Sequence, residues 1–354
     1  MEKLFLLSDL LLNEKIHIDA ADNIELLLGQ IFLNRIVGIA CKNLDFSSMY
    51  HEAQKVLKTF RESEEQKCLC FQKKVCCLSE ILQSAQFKYA LLKGAFLSTV
   101  VYEHGQRTSN DIDILCESKD VSKLQSLLIE NGFIQGHYEA STNAIVPASR
   151  REIIESKMNF GETIPFLTML DGQPLEVDIN FSVDFKAIDE RGIVQELLRE
   201  TTAVQLHNFA FQTLNMVDFI IHLCCHLYKE ATTYDWVRLR RDLMLYKFSD
   251  MNAFLHKYGN HGYFDELIKR VKFFGVEKEC YYSFENSSVI YPKLNEIDGF
   301  TAMKKNLQPF DLNFMKQIVY PREKKLFQHN MDFANWFFCP DRIAQLEEIS
   351  YEAD

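Results

Sequence analysis

The chain has 354 residues, of which 47% are hydrophobic and 25% charged, and a formal net charge of -11. That length and apolar share allow a sizeable core divided over two or three domains of an ordinary globular protein. The acidic residues are spread along the chain, which speaks against non-specific attraction to nucleic acid or anionic membrane and leaves only a local basic patch as a route to them.

The first residues, MEKLFLLSDLLLNEK, are apolar but carry Glu2, Lys3 and Asp9 and offer no small-residue cleavage site, so an amphipathic helix is expected rather than a signal peptide. No stretch reaches the roughly 18 to 20 uncharged apolar residues of a spanning helix. The ten cysteines sit largely inside apolar periodic segments, which favours reduced, buried thiols and a cytoplasmic compartment.

Apolar spacing of the i, i+3, i+4 kind predicts helices over IELLLGQIFLNRIVGIACKNL and over HEAQKVLKTFRESEEQKCLCFQKKVCCLSEILQSA. YALLKG then reads as a strand stopped by Gly94, and AFLSTVVYEHG as a helix ending at Gly105. DIDILC is a second strand, and DVSKLQSLLIENGF a helix with Asp120 as N-cap and Asn131-Gly132 as its stop. Residues 141–160 give no assignment. TIPFLTML and PLEVDINFSV flank Asp171-Gly172-Gln173 as the two arms of a hairpin. From about residue 187 helical spacing returns, through VDFIIHLCCHLYKE and WVRLRRDLMLYKF, and persists to the carboxyl end. The expected order is a helical region over 1–85, a compact α/β unit over 86–186 and a helical domain over 187–354.

Alternate side chains of a strand share a face, so Asp111 and Asp113 in RTSNDIDIL point one way and Ile112 and Ile114 the other. Two adjacent carboxylates repel and cost several kcal/mol when buried unpaired, unless a cation or donors compensate. Such a pair suits Mg²⁺, which takes one or two carboxylates with substrate phosphates and water. In LEVDINFSV the apolar Leu175, Val177, Ile179 and Phe181 leave Glu176, Asp178 and Asn180 on the opposite face. If that strand lies beside DIDIL, Asp178 joins the pair, with Glu176 its competitor for the third place, and three carboxylates can hold two divalent ions for in-line displacement at phosphorus. The turn at Gly94 in LLKGAFLS offers backbone N–H groups to a phosphate, and Lys93 and Arg107 are nearby cations for a triphosphate.

An apolar strand, a Gly followed by a small residue, a helix, a DxD strand and a later strand carboxylate resemble the nucleotidyltransferase superfamily typified by DNA polymerase beta. More narrowly, KGAFL, RTSNDIDIL, EVDINFSV and the later HLCCHL and RLRRDLMLY resemble a bacterial family of uncharacterised nucleotidyltransferases, over about residues 86–250. The resemblance implies an α+β fold, a small mixed-sheet nucleotidyltransferase core flanked by helical amino- and carboxyl-terminal regions. It implies that Asp111 and Asp113 bind metal, that Asp178 is the third carboxylate and base for the acceptor hydroxyl, and that Gly94 shapes the phosphate turn. The usual Gly-Ser or Gly-Gly is here Gly94-Ala95, which removes a hydroxyl that Ser98 or Ser109 would have to replace.

Other residue groups have plainer readings. His222 and His226 lie one helical turn apart but lack the acidic residue of a zinc-protease signature, so packed histidines are expected, with His226, Asp242 and Lys247 as cleft candidates. Cys68, Cys70, Cys76 and Cys77 lack paired zinc spacing and read as a helix face. Arg238, Arg240, Arg241 and Lys324-Lys325 read as solvated charge. The function expected is a magnesium-dependent transfer of a nucleotide from a triphosphate, ATP by default, to an acceptor hydroxyl or phosphate of a small molecule or peptide. The rivals are a non-catalytic nucleotide- or partner-binding module, favoured by Ala95, and a toxin-like nucleotidylation of RNA or protein, against which the acidic balance counts for a long RNA.

Overall fold

The structure is a computed structural model describing residues 2–18, 23–154, 163–183, 192–206 and 208–349. It divides into two compact units, Lys55–Phe219 and Met1–Gln54 with Ile220–Asp354. Among the described residues no helix is long and apolar enough to cross a membrane.

In the unit that begins the chain, α1 (Glu2–Leu7) is followed by α2 (Ile24–Leu33) and α3 (Val37–Asn43), with β1 (Ile16–His17) and β2 (Leu44–Asp45) paired in parallel. The opening helix is shorter than MEKLFLLSDLLLNEK suggests. Asp9 is buried and accepts the Leu11 amide at 3.0 Å and the Asn252 side chain at 3.2 Å, so its carboxylate turns the chain out of the helix. The next predicted helix is likewise two. Asn34 is its C-cap, and Arg35 adopts a φ of 54° that no continuous helix accommodates.

The long helix α4 (His51–Leu82) forms as its spacing predicts, burying Leu57, Cys68, Phe71, Val75, Leu78 and Leu82. Within unit Lys55–Phe219 come β3 (Tyr89–Leu91), the short α5 (Lys93–Phe96) continued by a π-helical turn Leu97–Val101, β4 (Asp111–Cys116), α6 (Val121–Glu130), β5 (Ile134–Glu139), β6 (Ala144–Pro147), β7 (Phe166–Leu170) and β8 (Gln173–Asn180). The helix after Gly94 ends at Val101 and not at Gly105, because Tyr102 turns extended and is buried. Asp120 is the N-cap residue of α6 as expected, but its side chain makes no capping hydrogen bond. A 3-10 turn precedes it, and its carboxylate is held by Lys123 at 2.6 Å instead.

Six strands form one mixed sheet in the order β3-β4-β8-β7-β5-β6. All neighbours are antiparallel except β4 and β8, which run parallel. β7 and β8 are the expected hairpin. Leu170 pairs with Gln173, and both turn residues have positive φ, 50° at Asp171 and 75° at Gly172, the backbone that a two-residue hairpin turn of this kind needs. β5 and β6 lie in and beside the stretch for which periodicity gave nothing.

Residues after 187 are not all helical as expected. β9 (Thr201–Gln205) and β10 (Ala210–Leu214) form a hairpin, and Thr213 Oγ1 donates to the Leu91 carbonyl at 2.7 Å, tying it to β3. Residues 184–191 lie outside the described residues. The change from one compact unit to the other falls after Gln54 and after Phe219, which puts most of α4 and this hairpin with the sheet.

The rest of the other unit is mostly helical, with helices Leu245–Tyr258, His261–Phe274, Glu277–Ile290 and Phe300–Leu307. It closes on a three-stranded antiparallel sheet that helical spacing did not predict, of β11 (Gln317–Tyr320), β12 (Lys325–Gln328) and β13 (Glu347–Ile349). The predicted helix over WVRLRRDLMLYKF breaks after Arg238. Arg240 takes a φ of 55°, and the buried Asp242 is drawn to Arg342 one hundred residues away.

Candidate active site

The alternation in PLEVDIN sets one face of β8. Leu175, Val177 and Ile179 are buried, whereas Glu176, Asp178 and Asn180 are half-buried opposite them. The parallel register with β4 sets Asp111 beside Glu176 and Asp113 beside Asp178. Neighbouring strands lie about 4.8 Å apart, so directly paired residues present their side chains side by side on one face. The sheet thus brings Asp111, Asp113 and Asp178 to adjacent places, with Glu176 and Asn180 flanking them.

Asp113 is the most buried of the acids, and its Oδ1 accepts two hydrogen bonds. Lys93 Nζ donates at 2.9 Å and Asn180 Nδ2 at 3.1 Å. Asn180 is a site residue to which sequence reasoning gave a face but no role; its position two residues past Asp178 on the same side of the strand was the available signal. Lys93 reaches Asp113 because the turn before α5 is anchored there, with the Leu92 amide donating to the Asp113 carbonyl at 3.0 Å.

Asp111 is half-buried and accepts from Ser109 Oγ at 3.1 Å. Burial pushes the neighbouring Glu176 carboxyl up, and Asp111 pushes it further, while His137 and Lys74 oppose the shift. A carboxyl that resists ionisation beside a second acid in this way marks a place where a cation would be favoured.

Gly94 explains the close turn. A Cβ built there would lie 2.4 Å from Ser109 Oγ and 2.6 Å from Ser109 Cβ, so only glycine lets the loop before β4 pass. Ser109 therefore stands between the Gly94 turn and Asp111, whereas Ser98 is buried in the π-helical turn with no hydrogen-bond partner for its Oγ among the described residues. Ala95 is fully buried in α5. Arg107 folds its guanidinium back onto the Thr108 carbonyl, and its own carbonyl accepts Cys68 Sγ at 3.3 Å. The loop is fastened to α4 a second time by Thr108 Oγ1, which donates to Glu64 Oε2 at 3.0 Å.

The donor set is all oxygen, which fits Mg²⁺ and not a soft metal. Among the described residues no three His, Cys, Asp or Glu side chains are gathered tightly enough to hold a metal ion by themselves. Two carboxylates completed by phosphate oxygens would meet the same chemistry, and in this structure the ammonium of Lys93 is paired with Asp113 Oδ1.

Elsewhere, His226 faces Glu230 at 3.2 Å, and Lys247 meets the same carboxylate at 2.5 Å, so these groups are engaged within the helical unit. Cys68, Cys70, Cys76 and Cys77 lie on α4, and none of the ten cysteines forms a disulfide.

No curated protein matches the chain at a significant level. Among solved structures, an antigenic nucleotidyltransferase-like protein from Paracoccidioides brasiliensis is similar at 12% identity and a TM-score of 0.41, over 66% of this chain and 92% of that one. A family model described as uncharacterised nucleotidyltransferase matches residues 20–292, which include every strand and turn of the acidic face. The chain belongs to that family of nucleotidyltransferases.

Proposed function

We propose that the acidic face of β4 and β8 moves a nucleoside monophosphate from a triphosphate to an acceptor hydroxyl or phosphate on a small molecule or peptide. ATP is the default donor. The observation that carries this reading is the parallel register that sets Asp111 and Asp113 against Glu176 and Asp178 on one face.

In the reaction the acceptor oxygen bonds to the α-phosphorus and the bond to the leaving pyrophosphate breaks in line. Asp111 and Asp113, with Asp178 beside them, would hold Mg²⁺ together with oxygens of the triphosphate, and the ion would supply stabilisation for charge on the transferring group and on the leaving oxygen. Asp178, half-buried at the edge of the cluster, takes the acceptor proton. Ser109, packed against Gly94, orients the Asp111 carboxylate, Asn180 orients that of Asp113, and the turn at Gly94 would receive the triphosphate.

The test is incubation of the full chain with each α-labelled triphosphate and Mg²⁺, following label transfer and pyrophosphate release. Asp111→Ala with Asp113→Ala should lower the rate by about 10³-fold or more, as loss of transition-state charge stabilisation does. A doubly substituted protein that releases pyrophosphate at the parent rate would remove the site.

A further inference from the structure

Lys93 is the first residue of α5 and has a φ of 40°, a left-handed backbone that is strained for a lysine. Strain of this kind persists where the surroundings hold it, and clusters at ligand clamps. Here it directs the ammonium onto Asp113 Oδ1 at 2.9 Å, with side-chain exposures of only 20% for Lys93 and 9% for Asp113. The same carboxylate is one that the functional reading above assigns to a divalent ion. Two cations cannot share one carboxylate oxygen at full strength, because each weakens the field available to the other.

We infer that Lys93 is an exchange cation: it neutralises Asp113 while the metal place is empty, and the incoming triphosphate draws its ammonium away so that the carboxylate becomes available to the divalent ion. The inference rests on the proposed site and adds to it an order of events. The position of Lys93 suits the exchange. It is adjacent to Gly94 in the turn that the functional reading gives to the triphosphate, so a triphosphate seated there lies within reach of a flexible four-carbon stem. Asn180, the second donor to Asp113 Oδ1, is neutral and need not leave, since it can keep orienting the carboxylate when the charge beside it changes.

Exchange of this kind makes metal and nucleotide binding mutually favourable, and by linkage the factor is the same in both directions. It acts through Lys93 as a positioning residue, not as a group that reacts.

The experiment measures Mn²⁺ binding to the metal-free full chain by the spin resonance of the free ion, with and without a triphosphate analogue whose α–β bridge is a methylene. In the parent chain the analogue should tighten Mn²⁺ binding by about fivefold or more, the lower end of ordinary coupling between sites. Lys93→Met should bind Mn²⁺ more tightly than the parent when no analogue is present, and the analogue should then add little. Lys93→Gln, which keeps a hydrogen-bond donor but no charge, should behave alike and covers the case in which the methionine variant does not fold. Asn180→Ala should retain the coupling.

Metal affinity unchanged or weakened in both Lys93 variants would overturn the exchange while leaving the nucleotidyl-transfer reading in place. So would an Asn180→Ala chain that reproduces the Lys93 behaviour. A parent chain whose Mn²⁺ binding is insensitive to Asp111→Ala and Asp113→Ala, with or without analogue, would overturn both readings.

Discussion

Two buried acid–base pairs, one in each compact unit, show how similar chemistry serves opposite ends. Asp113 with Lys93 sits on the acidic face, and the lysine keeps a fifth of its side chain exposed. Asp242 with Arg342 lies in the helical unit at 2.7 Å, with exposures of 0% and 6%. Burial pushes the Asp242 carboxyl up, although Arg342 and the Leu243 amide hold it down. Arg342 also donates to the Trp336 and Phe337 carbonyls, at 3.4 and 2.9 Å, so its planar fork is spread over three acceptors and fixed. Lys93 is a point charge on a flexible four-carbon stem. The arginine pair joins distant parts of the chain; in the proposed function the lysine pair would keep a carboxylate ready for a metal ion.

The comparison breaks most sharply at Arg342. Arg342→Ala leaves a carboxylate inside the helical unit without its partner, and losing one member of a buried pair costs about 3–5 kcal/mol. Asp242 offsets part of this by taking a proton, since its carboxyl already resists ionisation. Replacing both members, Asp242→Leu with Arg342→Met, should restore most of the stability, because no charge is then buried. Urea midpoints at neutral pH give the measurement. Lys93→Met should shift the midpoint less than Arg342→Ala does; an equal or larger shift would make the two pairs alike.

The next effect lies on the site side. In Gly94→Ala the new methyl would overlap the Ser109 side chain, and the shift needed to relieve it should cost about 1–3 kcal/mol, the usual range for overpacking. Ser109→Gly in the same chain should recover the stability but not the rate of transfer, because the hydrogen bond to Asp111 is gone. Recovery of neither would mean that Gly94 is needed for a reason other than Ser109.

The acidic face was legible because everything that makes it is local. DIDIL and LEVDIN alternate without interruption, Asp171-Gly172 fixes the hairpin turn, and alternation alone decides which side chains share a face. Sequence could name Asp111, Asp113 and Asp178 as one face if the strands were neighbours; it could not say that β4 and β8 run parallel, which is what sets 113 against 178. The opposite holds for WVRLRRDLMLYKF. Its spacing is helical, but Arg342, one hundred residues beyond Asp242, decides the local backbone. Likewise the β9–β10 hairpin is bound to β3 through Thr213 and Leu91, a partner that no local window contains. Propensity yields to tertiary contact where the partner is far away.

The last effect concerns the surroundings of the fixed pair and appears only as the pH falls. His329 stacks on Trp336 with centroids 3.9 Å apart and planes within 6°, and Arg342 lies over the same indole at 5.8 Å. Burial, with Lys316 adding to it, pushes the imidazole down from 6.5 to about 4. A histidine whose folded value is depressed stays neutral in the fold while the unfolded chain takes up a proton. Its contribution to stability is therefore whole above about pH 6.5 and is lost as the pH falls from there toward 4. His329→Phe keeps an aromatic ring on Trp336 and removes the titration. The gap in unfolding free energy between parent and variant should be constant above that window and change in the variant's favour within it. Curves that stay parallel from pH 7 to pH 4 would show that the imidazole accepts a proton beside Trp336 as readily as in the unfolded chain, and the helical unit would then tolerate added positive charge next to Arg342, contrary to the contrast drawn with Lys93.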